Sequence, residues 1–492
     1  MKKVFFSLVI LTSMFLQVKA GGVVSNTNQS ASYYRMLARG ASTSGDAVYY
    51  NPAGLAFLEQ GLTVSLNTQM IWMKRTINND LGTLNNNEFI GNLYVPVFPG
   101  VYAALKTGAW TFSLGFNPPA GGGSIEFDKG IPMLENDVSL IPGMMTGLGI
   151  TTTQYSMESM MKGSAITYGV QAGVTYKVND MIGIFGGVRM MFADNNYQGH
   201  IKNIKVNPTV TGLLDGEMLD SEGLITKGDE INAMADALEP LLGVPEIYAQ
   251  YMQLKTLVGG LNQVASGIGN RELDVTQKGS GIAPIIGVHF NFGNLNVAAK
   301  YEFRTKMEIE NNTKRDDTGM YPHEKKLRSD VPALLSLAGS YNVVPALRLS
   351  FGYVHHFEPY AKLESWSPDA TNLEGGIFVQ RQKLLEGGTN EYLAGLEWKI
   401  IDRLTLSTGF QWSRVGVEDG WHNDITHNLS NFTLGIGAAF QLNERMTINI
   451  GGINTWYEPI SVNGQGTPIH RDFKQTYDRT NKAIALGIDY RF

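Results

Sequence analysis

From Gly61 to Phe492, apolar residues recur at every second position in segment after segment. Trp110, Phe112, Leu114 and Phe116 alternate with Thr111, Ser113 and Gly115. Ile166, Tyr168, Val170, Ala172, Val174 and Tyr176 repeat the pattern, and Ile484, Leu486, Ile488, Tyr490 and Phe492 close the chain with it. Successive strand residues point to opposite faces, so each segment has one apolar face and one small or polar face. The chain is therefore all-β.

A soluble sandwich shares that alternation. Segment length argues against it, because these runs of about 10 to 16 residues exceed the usual five or six. Aromatics sit near segment ends (Trp72, Tyr176, Trp398, Trp412, Trp456, Tyr490), as in interfacial girdles. The connections decide the matter. Strands are placed at 61–76, 97–106, 109–117, 164–177, 181–195, 279–292, 295–310, 329–342, 346–358, 378–400, 402–415, 428–441, 445–458 and 476–492. Links after even-numbered strands are tight, as at Lys106-Thr107-Gly108 and Phe292-Gly293-Asn294. Links after odd-numbered strands are long, above all 118–163 and 196–278. Short turns on one side and long loops on the other are the mark of a transmembrane antiparallel β-barrel of about 14 strands. Lipid offers no hydrogen-bond partners, so the backbone must be paired internally and the sheet closed. The bacterial outer membrane is the expected location.

Lys2-Lys3, the apolar run Val4–Leu16 and Val18-Lys19-Ala20 read as a signal peptide over 1–20. Removing Lys2, Lys3 and Lys19 leaves 36 basic against 45 acidic residues, a net charge of −9 that argues against nucleic acid as a partner. With no Cys, the exported chain has no disulfides. The final Tyr490-Arg491-Phe492 reads as a last lipid-facing strand and a signal for the outer-membrane insertion machinery.

Residues 21–60 precede the first strand of the barrel proper, 61–492. They are too few for an independent core yet rich in Tyr33, Tyr34, Leu37 and Ala47–Tyr50. A barrel this wide leaves a lumen unless something fills it, so 21–60 is expected to be an N-terminal hatch. Within it, Asn51, Pro52, Ala53 and Gly54 break the apolar run, Pro52 by removing a donor and Gly54 by permitting a reversal. The long loop 118–163 is methionine-rich. The loop 196–278 predicts two helices. Asp229 caps one carrying Met234, Leu238, Leu241 and Leu242, stopped at Gly243. Pro245 opens another, with Ile247, Tyr248, Tyr251, Met252, Leu254 and Leu257, stopped at Gly259-Gly260. These side chains pack on one another, or offer adaptable capture of an apolar ligand.

The signal peptide, Asn51-Pro52-Ala53 in "GDAVYYNPAGLA", the 14-strand pattern and the two apolar loops after strands 3 and 5 together resemble the FadL/TodX family of outer-membrane transporters. The resemblance spans the mature chain and implies transport of long-chain fatty acids or other hydrophobic compounds such as aromatic hydrocarbons. It also implies capture by the outer loops, a pocket near the mature N-terminus, a hatch rearrangement and a sideways exit through the barrel wall. By alternation, Arg189, Lys300, Arg304 and Arg348 face the lumen. They are candidate contacts for a fatty-acid carboxylate, or partners of lumenal Glu302, Glu391 and Glu397.

Three other readings compete. A barrel lipase needs a Ser–His pair, and no G-x-S-x-G occurs. A general porin or an adhesin would carry polar outer loops and would not need a hatch. His355-His356 and His422/His427 lack metal-ligand spacing. No enzyme activity, cofactor or metal is expected.

Overall fold

The computed structural model describes residues 30–369, 372–464 and 472–492. The expected signal peptide and mature N-terminus lie outside them. One sheet of 17 segments closes on itself, and three of its wall strands are each split in two, which makes 14. The wall runs β1 (Gly61–Asn79), β2 (Glu88–Thr107), β3 (Trp110–Phe127), β4 (Tyr155–Lys177), β5 (Ile182–Val206) and β6 (Arg271–Asn291). It continues with β7 (Leu295–Glu302, resuming at Glu308–Asp316), β8 (Lys326–Arg328, resuming at Leu334–Val344) and β9 (Leu347–His356). Last come β10 (Thr389–Ile401), β11 (Leu404–Arg414), β12 (Asn431–Asn443), β13 (Met446–Tyr457, resuming at Ile460–Gly464) and β14 (Phe473–Arg491). Every neighbour is antiparallel, and β1 pairs with β14 from Thr63↔Arg491 to Asn79↔Gln475, so no edge remains.

Alternation sorts the side chains as expected. On β1, Leu66, Met70 and Trp72 are exposed outward while Ser65, Asn67 and Gln69 are buried inward. Rings pair across strands towards both ends of the wall: Trp110 with Tyr176 (4.5 Å) near the short turns, Trp72 with Tyr94 (5.8 Å) towards the loops. Tight turns use left-handed glycines at Gly108 (φ 58°) and Gly293 (φ 78°), where a side chain would be strained.

Strands β1 to β6 are longer than the sequence predicts, whereas β9 and β11 are shorter than the predicted 346–358 and 402–415. The 77–96 link shrinks because β2 begins at Glu88, and β3 runs through Pro118-Pro119 to Phe127. The predicted strand 378–400 is instead the second arm of a hairpin (Glu364–Asp369 with Asn372–Gln380) followed by β10. Gly387 and Gly388 (φ 72° and 71°) separate the two.

The loop after β3 holds α3 (Pro132–Ser139) and α4 (Ile141–Gly147), numbered after two short helices of the N-terminal segment, α1 (Ala31–Arg35) and α2 (Ala47–Tyr50). The loop after β5 holds α5 (Ser221–Asp236) and α6 (Pro245–Gly267). The α5 cap is Asp220, whose carboxylate accepts the Gly223 N–H (2.9 Å), and Asp229 lies mid-helix. The second helix does not stop at Gly259-Gly260. Gly260 packs where a Cβ would come 3.2 Å from Ile150, and the burial of Leu261, Val264 and Ala265 carries α6 onward. Both loops share one core, in which Met145 and Ile150 of the first meet Ile231, Leu254, Leu257 and Leu261 of the second.

Candidate functional site

Residues 30–58 are held against the inner face of the wall, α1 on β12–β14 and the 52–57 turn on β4–β6. The apolar run Ala47–Tyr50 is a helical turn. Asn51 is then extended (φ −156°), and its Oδ1 accepts the Ala53 N–H (3.1 Å) while its Nδ2 donates to Val288 O (3.3 Å). Pro52 opens a 3-10 helix to Phe57, the position where its missing N–H costs nothing. Thr175 donates to Pro52 O (2.8 Å). A Cβ on Gly54 would lie 2.1 Å from Ser42 O, so the motif is pressed against its own preceding turn.

Bare wall glycines make this contact possible. A Cβ on Gly409 would stand 2.3 Å from Leu37 N, and on Gly451 2.5 Å from Arg35 N. Polar anchors complement them. Arg35 donates to Glu397 (2.7 Å), Asn449 (3.1 Å) and Ser407, and Tyr34 donates to Gln69 (2.7 Å). Within the segment, Arg39 forks onto Asp46 (2.9 and 2.8 Å), which also accepts from Ser42 and Ser30. Arg35, Arg39 and Asp46 carry the arrangement and were not singled out by sequence reasoning. Nothing in their local pattern marks a buried charge.

Between this segment and the wall lies a cavity of about 90 Å³. Tyr33, Tyr49, Tyr50, Leu334 and Leu393 give it an apolar lining. Arg189 and Lys300 reach it, both engaged by Glu302 (2.5 and 2.6 Å). Lys300 also donates to Tyr49 O (2.9 Å), and Arg189 donates to Gln171 (2.6 Å) and lies over the Tyr49 ring. Glu391 stands 3.8 Å from His356. Arg304 and Arg348 lie outside the lining, Arg304 near Asp330 (3.5 Å) and Arg348 near Glu397 (3.7 Å). All four basic candidates thus face a lumenal acid.

The cavity also touches Pro119 and Ala120, where the wall changes. The β2–β3 register runs from Thr107↔Trp110 to Val101↔Phe116 and is then interrupted until Asn92↔Glu126. Pro96 and Pro99 on one strand and Pro118 and Pro119 on the other cannot donate to a ladder. Gly121 and Gly123 turn left-handed there (φ 81° and 79°). The neighbouring ladders continue past this point with shifts of their own, β1 on β2 between Gln69 and Ile71, and β3 on β4 between Asn117 and Ala120 and between Gly121 and Ser124.

Of the outer-loop residues, Met234, Leu241, Tyr248 and Met252 are exposed around the α5–α6 tip. Leu238, Leu242, Ile247 and Tyr251 are half-buried, and Leu254 and Leu257 are buried in the shared loop core. Among the described residues no group of three or more His, Asp or Glu could hold a metal ion.

Fold and interior together define a closed antiparallel β-barrel with residues 30–58 against its inner face. No family model and no curated protein matches the sequence. Solved structures do match. A FadL homologue of Pseudomonas aeruginosa superposes at TM-score 0.63 and 13% identity, over 96% of this chain and 100% of that one. The Pseudomonas putida toluene transporter TodX gives 0.54 at 13%, covering 92% and 95%. The Ralstonia pickettii toluene transporter TbuX gives 0.50 at 14%, covering 97% and 100%. The chain has the FadL/TodX-family fold.

Proposed function

We propose that this protein is an outer-membrane channel for uptake of hydrophobic molecules, with residues 30–58 as a hatch and the β2–β3 interruption as its lateral exit. The observation that carries this reading is the cavity, which is bounded by the hatch on one side and reaches Pro119-Ala120 at the interruption. A molecule leaving there enters the apolar belt without crossing the polar turns at the short end. Substitution of Ala120 (8% exposed) by Trp fills the meeting point of cavity and interruption. Uptake of labelled toluene into cells should fall at least tenfold, with the purified barrel still heat-modifiable. Unchanged uptake would place the exit elsewhere.

An uncharged substrate fits the lining better than a fatty-acid anion. Arg189 and Lys300 already share Glu302, so a carboxylate would have to displace a buried acid, whereas a hydrocarbon requires no such exchange. Binding of labelled alkylbenzene and oleate, measured beside ion conductance, checks this. Saturable alkylbenzene binding with little steady conductance is expected, and a large steady conductance without binding would indicate a porin.

Capture falls to the α5–α6 tip, where Met234, Leu241, Tyr248 and Met252 present adaptable apolar surface. Replacing all four by Ser leaves the loop core intact. Uptake should drop several-fold at low substrate concentration and recover at saturation. Equal uptake at every concentration would remove the tip from the mechanism.

A further inference from the structure

Arg75 on β1 and Arg479 on β14 are direct partners in the closing ladder. Residues opposite each other in register point to the same face, with Cα atoms about 4.5–5.5 Å apart. Here that face is the lumenal one, shared with the buried Ile77 and Tyr477 two residues along. Two like charges so placed are mutually destabilising. Yet neither guanidinium has a carboxylate within ion-pair distance among the described residues. Arg75 donates to Ile425 O (3.1 Å) and Arg479 to His427 O (2.9 Å), both carbonyls of the loop between β11 and β12. The Nε atoms of both are buried without a partner, and so is Nε2 of His427, whose ring is 2% exposed and stacks on Tyr477 at 4.8 Å.

Among the described residues no acid completes the cluster. The titratable groups facing Arg75 are Arg479, Tyr457, Tyr197 and His427, none of them a carboxylic acid. The same loop carries Glu418, Asp419 and Asp424; the first two make no ion pair with either arginine, and Asp424 is turned to Gln475, Tyr477 (3.2 Å) and the Met133 N–H (2.7 Å). Asp478 takes the opposite face of its strand from Arg479. Segments 1–29 and 465–471, outside the described residues, contain no Asp or Glu at all. Both arginines remain partly open to the lumen.

We propose that Arg75 and Arg479, with the loop around His427, form an oxyanion-binding site in the loop-side half of the lumen, separate from the cavity at the hatch. Guanidinium forks suit carboxylate and phosphate alike, and a bound oxyanion would supply the missing counter-charge. The anion is either free or the acid head of an amphiphile whose tail lies along the apolar cluster around Ile77, Phe89 and Tyr477.

The site is tested on the purified full-length barrel by calorimetric titration with inorganic phosphate, octanoate and 1-octanol. Wild type should bind phosphate, octanoate or both, and prefer octanoate to octanol by tenfold or more if the amphiphile is the source. Phosphate binding with no gain for octanoate identifies a free anion, and octanoate binding alone identifies a head group. Arg75→Gln and Arg479→Gln should each weaken that binding at least tenfold. Arg479→Lys should keep most of it, and Arg403→Gln, in a distant short turn, should change nothing. Heat-modifiability monitors folding, and the lysine variant keeps the test decisive if a glutamine variant does not fold. Equal affinity for octanoate and octanol without phosphate binding overturns the proposal, as does undiminished anion binding in the glutamine variants. Toluene binding is measured on the same variants, so loss of this site and failure of the hydrophobic-channel reading remain distinguishable.

Discussion

Gly409→Val should yield a barrel that folds but conducts ions steadily. Gly409 faces the lumen on β11, and strands tolerate valine well, so the wall itself has no reason to fail. The obstruction is internal. An added Cβ meets Leu37 N at 2.3 Å and Met36 Cα at 3.0 Å, and these are backbone atoms that no rotamer change can move aside. The 30–38 stretch must lift. It then loses the burial of Tyr34, Met36 and Leu37, each worth about 1.5–3 kcal/mol, and the Arg35 bonds to Glu397 and Asn449. Planar-bilayer recordings should show at least a tenfold rise in steady conductance over wild type. A variant with wild-type conductance and an unaltered 30–38 stretch would show that the contact is slack.

Asp46→Ala should unfasten the middle of the same segment. Arg39 is 4% exposed and Asp46 2%, and removing one partner of such a pair costs about 3–5 kcal/mol because the other charge stays buried alone. Limited proteolysis should cut within 30–58 in the otherwise intact barrel, where wild type resists. The double variant Arg39→Met with Asp46→Leu should recover most of the protection, since an apolar pair leaves no orphan charge. Resistance in Asp46→Ala equal to wild type would rule out this fastening. The pair also sets an acid limit. Burial pushes the Asp46 carboxyl up, but Arg39 and the hydroxyls of Ser42 and Ser30 more than offset it and hold the group below its ordinary range. A carboxyl depressed on folding stabilises above its unfolded value and loses that contribution as pH falls through the folded one. Protection should hold from neutral pH to about pH 4 and fail only below it.

Much of the wall was legible because each strand residue answers to its own surroundings. Leu114 belongs in lipid and Ser113 in the lumen whatever the rest of the chain does, so the period-two pattern survives in the sequence unaided. Strand ends were less legible. The loop expected to begin at 118 starts only after Phe127, and Pro118-Pro119 lie instead in a strand that continues beside an interrupted partner. The helix caps slipped for a similar reason. Asp220 and Asp229 are equally good caps in isolation, and burial of Leu224 and Ile231 against α6 decided between them.

By itself, the sequence determined a closed 14-strand antiparallel barrel, with its short turns on one side, its apolar loops on the other and an apolar segment ahead of β1. Each of these follows from local periodicity and spacing. Only the tertiary structure decided that Gly409 lies under Leu37, that Arg189 and Lys300 share Glu302, that four prolines meet at one interruption, and that Arg75 faces Arg479 across the barrel closure. Those facts depend on the register between strands hundreds of residues apart. That register is set by closing the whole sheet around its contents, and no local stretch of sequence records it.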